Sequence, residues 1–334
     1  MQRIFREKNT IFAATMKITV LDTVIMPPAE GCWEWLKGYG EVTLWPRTEA
    51  ADTVARCEGC EVVFTNKTAL GEAEFARLPQ LRLVCVLATG YNIVDCAAAT
   101  AHGILVCNIP AYSTMSVAQT AFAHLLNIVN RVGHYAEPSR WALQPDFSYS
   151  DTPLIELAGK QMLIVGCGRT GSATATLAEA FGMDVRRFHS SRLSRPETQQ
   201  QAREEFAEAL RTADVVSLHC PLTPATERLM DAAHLAMMKP TAILINTGRG
   251  PLVDEQALAD ALTAGRLFAA GLDVLCQEPP SVDNPLLTAP NCYLTPHIAW
   301  ATHEAKGRLL VIAEENLKAY LAGRPINVVN AVPR

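Results

Sequence analysis

Short apolar runs alternate with helix-patterned segments along almost the whole chain. The runs are KITVLD (17–22), EVTLW (41–45), EVVFTN (61–66), LRLVCVLA (81–88) and ILVCNIP (104–110), then QMLIVG (161–166), DVRRFH (184–189), DVVSLHC (214–220), AILINTG (242–248), FAAGLDV (268–274) and NCYLTPH (291–297). Most are apolar on successive residues, as in strands buried on both faces, and the segments between them are long enough for crossover helices. The pattern implies βαβ units and parallel sheets. The expected fold is α/β, with two doubly wound, Rossmann-like domains and the active site in the cleft between them.

A length of 334 residues suits two domains. We place the first at 16–112, completed by a C-terminal helix within 300–330, and the second at 113–299. Segment 113–141 reads as one helix capped by Ser113 or Thr114. The last helix, 302–323, stops at Gly323 with Pro325 just beyond. Residues 1–15 carry no signal-peptide h-region and read as a frayed tail, with Met16 as the functional start.

Net charge is −5 with no basic block, which argues against nucleic acid and acidic membranes as partners. No apolar stretch is long enough to span a bilayer. Most of the ten cysteines sit inside apolar runs, where a thiol is a small buried hydrophobe, and this usage suits a reducing, cytoplasmic setting. Cys57-Glu-Gly-Cys60 has no second pair, so we read two unrelated thiols and no metal.

The turn GCGRTG (166–171) follows the run QMLIV and opens the helix pattern SATATLAEAF (172–181). In that context Gly166 permits the turn, Gly168 lets a pyrophosphate approach the backbone, and Gly171 lets helix and strand pack. The helix N-terminus offers N–H groups to the phosphates. An NAD-binding version carries an acid about 20 residues on, for the ribose 2′-hydroxyl. Here the strand DVRRFH ends instead in His189, Ser190, Ser191 and Arg192. Hydroxyls and guanidinium suit a 2′-phosphate, so the expected cofactor is NADP(H), with NAD(H) possible.

Three later strand ends carry polar groups: Arg249 in AILINTGRG, Asp273 and Glu278 in GLDVLCQEPP, and His297 in NCYLTPHIAW. Together they suit hydride transfer to a 2-oxo acid. Arg249 can hold the carboxylate and polarise the ketone. A histidine titrates near neutral pH and can give the carbonyl oxygen its proton. Glu278 can fix the imidazole tautomer and stabilise its charged form.

With NKTAL (66–70), VLATGYNIVD (86–95), GCGRTG, HCPLTPAT (219–226), MMKPTAILINTGRGPLVDEQAL (237–258), AGLDVLCQEPP (270–280), NPLL (284–287) and TPHIAWAT (295–302), the chain resembles the D-isomer-specific 2-hydroxyacid dehydrogenases. The nearest branch is glycerate dehydrogenase and hydroxypyruvate-glyoxylate reductase. The resemblance runs from about Met16 to Asn330. It implies that Arg249, Glu278 and His297 are catalytic, with Arg249 and His297 also meeting the substrate. Thr89, Gly90 and Tyr91 of the ATGYN loop would bind the substrate carboxylate. Arg169 and Thr170 would meet the pyrophosphate; Cys220, Pro221 and Thr226 would line the adenosine side; Thr247, Gly248, Asp273 and His297 would flank the nicotinamide. It further implies a homodimer joined through the nucleotide domain, with a dimer loop at 137–160 presenting Trp141 and Phe147. The substrate would be a small 2-oxo or 2-hydroxy acid. Formate dehydrogenases share this fold but pair the histidine with glutamine. Dinucleotide-sensing co-repressors share the scaffold and the catalytic trio, so the trio does not separate them from an enzyme.

Overall fold

The computed structural model describes residues 16–26 and 31–330, so the expectation for residues 1–15 lies outside the described residues. The chain divides into two compact units. One comprises the residues to Tyr112 together with those from His303 onward; the other is Ser113–Thr302.

The first unit holds β1 (Lys17–Val20), β2 (Glu41–Leu44), β3 (Val62–Thr65), β4 (Leu83–Val86) and β5 (Leu105–Cys107) in a parallel sheet of order β2-β1-β3-β4-β5. Strands β3 and β4 are buried at every residue, as their unbroken apolar runs require. The connecting helices α1 (Thr53–Cys57), α2 (Glu72–Phe75) and α3 (Cys96–Ala101) are short. Asp22, just past β1, is buried, and its carboxylate accepts from the N–H groups of Asn66, Lys67 and Thr68 and from two threonine hydroxyls. That carboxylate fixes the loop leaving β3. Cys57 and Cys60 are both buried free thiols, pushed up to about 12 and about 11 by desolvation.

The second unit has helices α4 (Thr114–Asn130), α5 (Val132–Tyr135), α6 (Pro138–Ala142), α7 (Arg169–Ala180), α8 (Pro196–Thr212), α9 (Ala232–Met237) and α10 (Glu255–Thr263). Its sheet contains β6 (Gln161–Val165), β7 (Asp184–Phe188), β8 (Val215–Leu218), β9 (Ile243–Asn246), β10 (Ala269–Leu272) and β11 (Cys292–Leu294). All pairings are parallel, in the order β11-β10-β9-β8-β6-β7. Alternate residues of β6 feed two cores. Leu163 and Val165 pack with Phe206 and Leu210 of α8; Met162 and Ile164 pack with Phe122, Leu125 and Ile128 of α4. Strand order reverses between β6 and β8, and the crevice beyond the carboxyl ends of those strands is where such sheets take ligands.

One expectation needs correction. Segment 113–141 is not one helix: α4 stops at Arg131, which is left-handed at φ 49°, and α5 and α6 follow as separate turns. The sequence Asn-Arg-Val-Gly lowers helix propensity there, and Pro138 can only begin a new turn. Ser113 occupies the N-cap but makes no side-chain cap bond. The last helix, α11 (His303–Leu321), belongs to the first unit, and the chain leaves it through Gly323 at φ 70°.

Candidate active site

Beyond the carboxyl ends of β6, β7 and β8 lies a cavity of about 370 Å³. Of the residues expected to meet a dinucleotide, Gly166, Gly168, His189, Ser190, Ser191, Pro221 and Thr226 line it. Cys167, Ser194, His219 and Thr223 line it as well, and sequence reasoning did not single these out.

The three turn glycines have distinct duties. A Cβ on Gly166 would stand 2.5 Å from the Cys220 nitrogen, and one on Gly171 would stand 1.9 Å from the Gly166 oxygen. Both positions therefore need glycine for backbone packing. Gly168 has nothing within 4 Å of that position, so its face is open toward the cavity it lines. Arg169 and Thr170 begin α7, and Arg169 is exposed at its N-terminus. Cys220 is buried behind the turn rather than lining the cavity.

Arg192 departs from its expected place. Its guanidinium is held by the Glu205 carboxylate of α8, with one contact from Nη2 to Oε1 at 3.1 Å and a second from Nη1 to Oε2, and it does not line the cavity. Arg186 and Arg187 are likewise paired, with Glu208 and Glu179. Sequence spacing places arginines near a strand end but does not reveal carboxylates on neighbouring helices.

His219 reaches the cavity from the end of β8. Its Nε2 lies 2.8 Å from the Ser217 hydroxyl, while Nδ1 is buried with no hydrogen-bond partner among the described residues. Burial pushes this imidazole down to about 4. The Thr247 hydroxyl, at the end of β9, is a second buried group without a partner among the described residues. An open glycine face and orphaned polar atoms at strand ends fit a bound dinucleotide better than a closed turn.

Arg249, Glu278 and His297 sit on three loops of this unit. After β9, Asn246 (1% exposed) accepts from Gly248 N–H at 3.0 Å and donates to the Arg249 carbonyl at 2.8 Å, fixing the turn that carries Arg249. The Arg249 side chain donates through Nη1 to the Gly248 carbonyl at 2.7 Å. Gly250 packs backbone-to-backbone on the next loop: a Cβ there would lie 2.0 Å from the Leu275 carbonyl carbon. That loop carries Glu278, whose Oε1 accepts from Leu275 N–H at 3.1 Å. Its Oε2 lies 2.6 Å from Nδ1 of His297, beyond β11. Nε2 is then the nitrogen with which His297 can exchange a proton with a substrate.

His297 has a left-handed backbone, φ 53°, and its N–H is held by the carbonyls of Asp273 and Thr295. The Asp273 carboxylate, expected beside the nicotinamide, is used by the His297 loop. It accepts from the Thr295 hydroxyl (2.6 Å), Ile298 N–H (2.9 Å) and Ala299 N–H (2.8 Å).

In the first unit, the Thr89 hydroxyl donates to the Ile109 carbonyl at 2.8 Å, and the Thr89 carbonyl accepts from Asn108 at 2.8 Å. The N–H groups of Thr89 and Gly90 make no hydrogen bond among the described residues, and Tyr91 is exposed. No group of three or more potential metal ligands occurs among the described residues, and no helix among them is long and apolar enough to cross a membrane.

Residues 122–299 match the model of the D-isomer specific 2-hydroxyacid dehydrogenase NAD-binding domain. The chain belongs to this dehydrogenase family. It is 44% identical over 321 residues to the hydroxypyruvate reductase of Blautia hydrogenotrophica, covering 94% of this chain and 100% of that one. It is 39% identical over 285 residues to the glycerate dehydrogenase of Methylorubrum extorquens, covering 84% and 88%. Among solved structures, the D-lactate dehydrogenase of Aquifex aeolicus, complexed with NAD and lactic acid, superposes with a TM-score of 0.80 at 26% identity, covering 95% and 100%. The protein is thus an NAD(P)-dependent oxidoreductase of 2-oxo and 2-hydroxy acids, on two parallel α/β sheets.

Proposed function

We propose that this dehydrogenase reduces hydroxypyruvate or glyoxylate to D-glycerate or glycolate and takes NADPH in preference to NADH. The hydrogen bond between His297 Nδ1 and Glu278 Oε2 is the observation that carries the chemistry. A carboxylate at Nδ1 fixes the tautomer and supports the imidazolium, so that Nε2 can donate to a ketone oxygen. The nicotinamide, when bound, supplies the hydride. Arg249 orients the carboxylate of the 2-oxo acid and polarises its carbonyl. Thr89 and Gly90 of the first unit offer backbone N–H groups suited to a carboxylate, with Tyr91 beside them. Thr247, Gly248 and Asp273 border the nicotinamide, while Arg169 and Thr170 face the pyrophosphate at the start of α7. The names of the bacterial reductase and dehydrogenase relatives support the small hydroxylated substrate.

The NADPH reading rests on the absence of an acid at the end of β7 and on Ser190, Ser191 and His189 in the cavity wall. Arg192 joins them by exchanging Glu205 for a phosphate. The protein acts in the cytoplasm as a homodimer. The homodimer reading is supported by the 137–160 loop, where Trp141 is 58% and Phe147 is 90% exposed in the single chain.

The test is kcat/KM for a panel of 2-oxo acids with each cofactor. Hydroxypyruvate and glyoxylate should lead the panel. Faster turnover of pyruvate or a longer 2-oxo acid would replace the substrate assignment without touching the reaction class.

A further inference from the structure

His124 is an imidazole buried in an otherwise apolar layer between α4 and the sheet, 5% exposed. Strand β10 makes room for it. A Cβ on Gly271 would stand 2.7 Å from the His124 Cβ and 2.9 Å from its Cγ, so the strand carries no side chain where the ring crosses. The ring reaches the end of β11, where Nε2 lies 3.0 Å from the Thr295 hydroxyl. That hydroxyl donates to Asp273 Oδ1 at 2.6 Å.

The direction of the chain follows from counting protons. A carboxylate only accepts, and a threonine hydroxyl has one proton, which goes to Asp273; His124 must therefore donate through Nε2–H. Desolvation lowers the His124 pKa, against the opposing charge of Asp273, which favours the neutral ring. The result is Nε2–H to Oγ1–H to Oδ1, ending on the carboxylate that also holds Ile298 and Ala299. His297 lies inside that clasp, with its own N–H on the Asp273 carbonyl at 2.8 Å.

We propose that His124 and Thr295 are positioning residues for His297: they aim the Asp273 carboxylate, which holds the Thr295 side chain before His297 and the backbone N–H groups of Ile298 and Ala299 after it, and so keeps its ring against Glu278. A leucine at 124 would bury apolar surface in the same layer without needing a polar partner. The imidazole is explained by what it donates to. The proposal rests on the reading of His297 as the acid/base.

The test uses the full chain with His124→Leu, His124→Gln, Thr295→Val and Thr295→Ser, beside His297→Ala. Readouts are kcat, KM for the 2-oxo acid, the melting temperature, and the NMR signal of the His297 Nδ1 proton shared with Glu278 in the cofactor-free protein. His124→Leu and Thr295→Val should lower kcat by about 10- to 100-fold, the scale of a misplacement near 1 Å, with KM little changed and the Nδ1 signal weakened. Glutamine, whose Nε2 can stand near that of the imidazole, and serine, which keeps the hydroxyl, should restore most of kcat. Should His124→Leu not fold, the Thr295→Val and Thr295→Ser pair decides. If His297→Ala loses turnover but the Leu and Val variants keep wild-type kcat, the positioning proposal falls alone. It also falls if Gln is as damaged as Leu. If His297→Ala retains turnover, the acid/base reading falls and the proposal falls with it.

Discussion

On the proposed mechanism His297→Ala removes the proton donor, and kcat should drop by about 10²–10⁴-fold, measured as reduction of the 2-oxo acid at saturating cofactor. Glu278→Gln should be nearly as damaging. The uncharged amide stabilises the imidazolium less than the carboxylate does, so less of the ring carries the Nε2 proton that reduction needs. A second residue-scale prediction concerns His219, whose pKa is pushed down to about 4 by burial from an ordinary value of 6.5. As pH falls through that window, the unfolded chain takes up a proton that the folded protein refuses. Stability is therefore complete above about pH 6.5 and lost progressively toward pH 4, by up to about 3 kcal/mol. Urea midpoints at pH 7 and pH 5 should differ more for the wild type than for His219→Gln; equal differences would show that His219 does not govern the acid limb. Arg249, Glu278 and His297 were legible because each follows an apolar run at the position where a strand ends. His219, Asn246 and the partners of Asp273 were not, because their roles depend on which loops the fold brings alongside.

At the scale of elements, the loops bearing Arg249 and Glu278 meet backbone to backbone at Gly250. Gly250→Ala would place a methyl 2.0 Å from the Leu275 carbonyl carbon, and neither main chain can give way cheaply. The variant should lose melting temperature and kcat together. Gly307 provides the contrast: it lies inside α11, and nothing stands within 4 Å of where its Cβ would be. Gly307→Ala should stabilise by about 0.5–1 kcal/mol with kcat unchanged. Calorimetry and steady-state kinetics on both variants check the pair, and similar losses in both would show that the Gly250 contact is not special. The central strands were readable because both of their faces are covered, so their apolar runs are continuous, whereas the edge strands β2 and β7 are largely exposed. The break of 113–141 at Arg131 was less so, since Asn-Arg-Val-Gly weakens a helix without forbidding one and no side-chain cap bond marks the start of α5.

At the scale of the molecule, the alternation of runs implied parallel sheets but not their strand order. The reversal between β6 and β8, which sets the cofactor crevice, comes from the pairing of the strands. The same limit governs cofactor choice. The sequence shows that an acid is missing after β7; the structure adds that Arg192 already has a carboxylate partner in Glu205. A 2′-phosphate must compete with Glu205 for the guanidinium, which trims the NADPH advantage toward the low end of what a charge-assisted hydrogen bond contributes, roughly 1.5–3 kcal/mol. A cofactor that binds only the folded protein raises its stability by RT ln(1 + [L]/Kd), about 2.7 kcal/mol at one hundred times Kd, so melting temperature reports affinity without turnover. At equal concentrations NADPH should raise the melting temperature more than NADH. Glu205→Gln frees Arg192 and should widen that gap, Arg192→Ala should close it, and His189→Asp should reverse it by offering a ribose acceptor and repelling the phosphate. Equal shifts with the two cofactors in the wild type, unmoved by Glu205→Gln, would show that Arg192 belongs to the surface of α8 and takes no part in recognition.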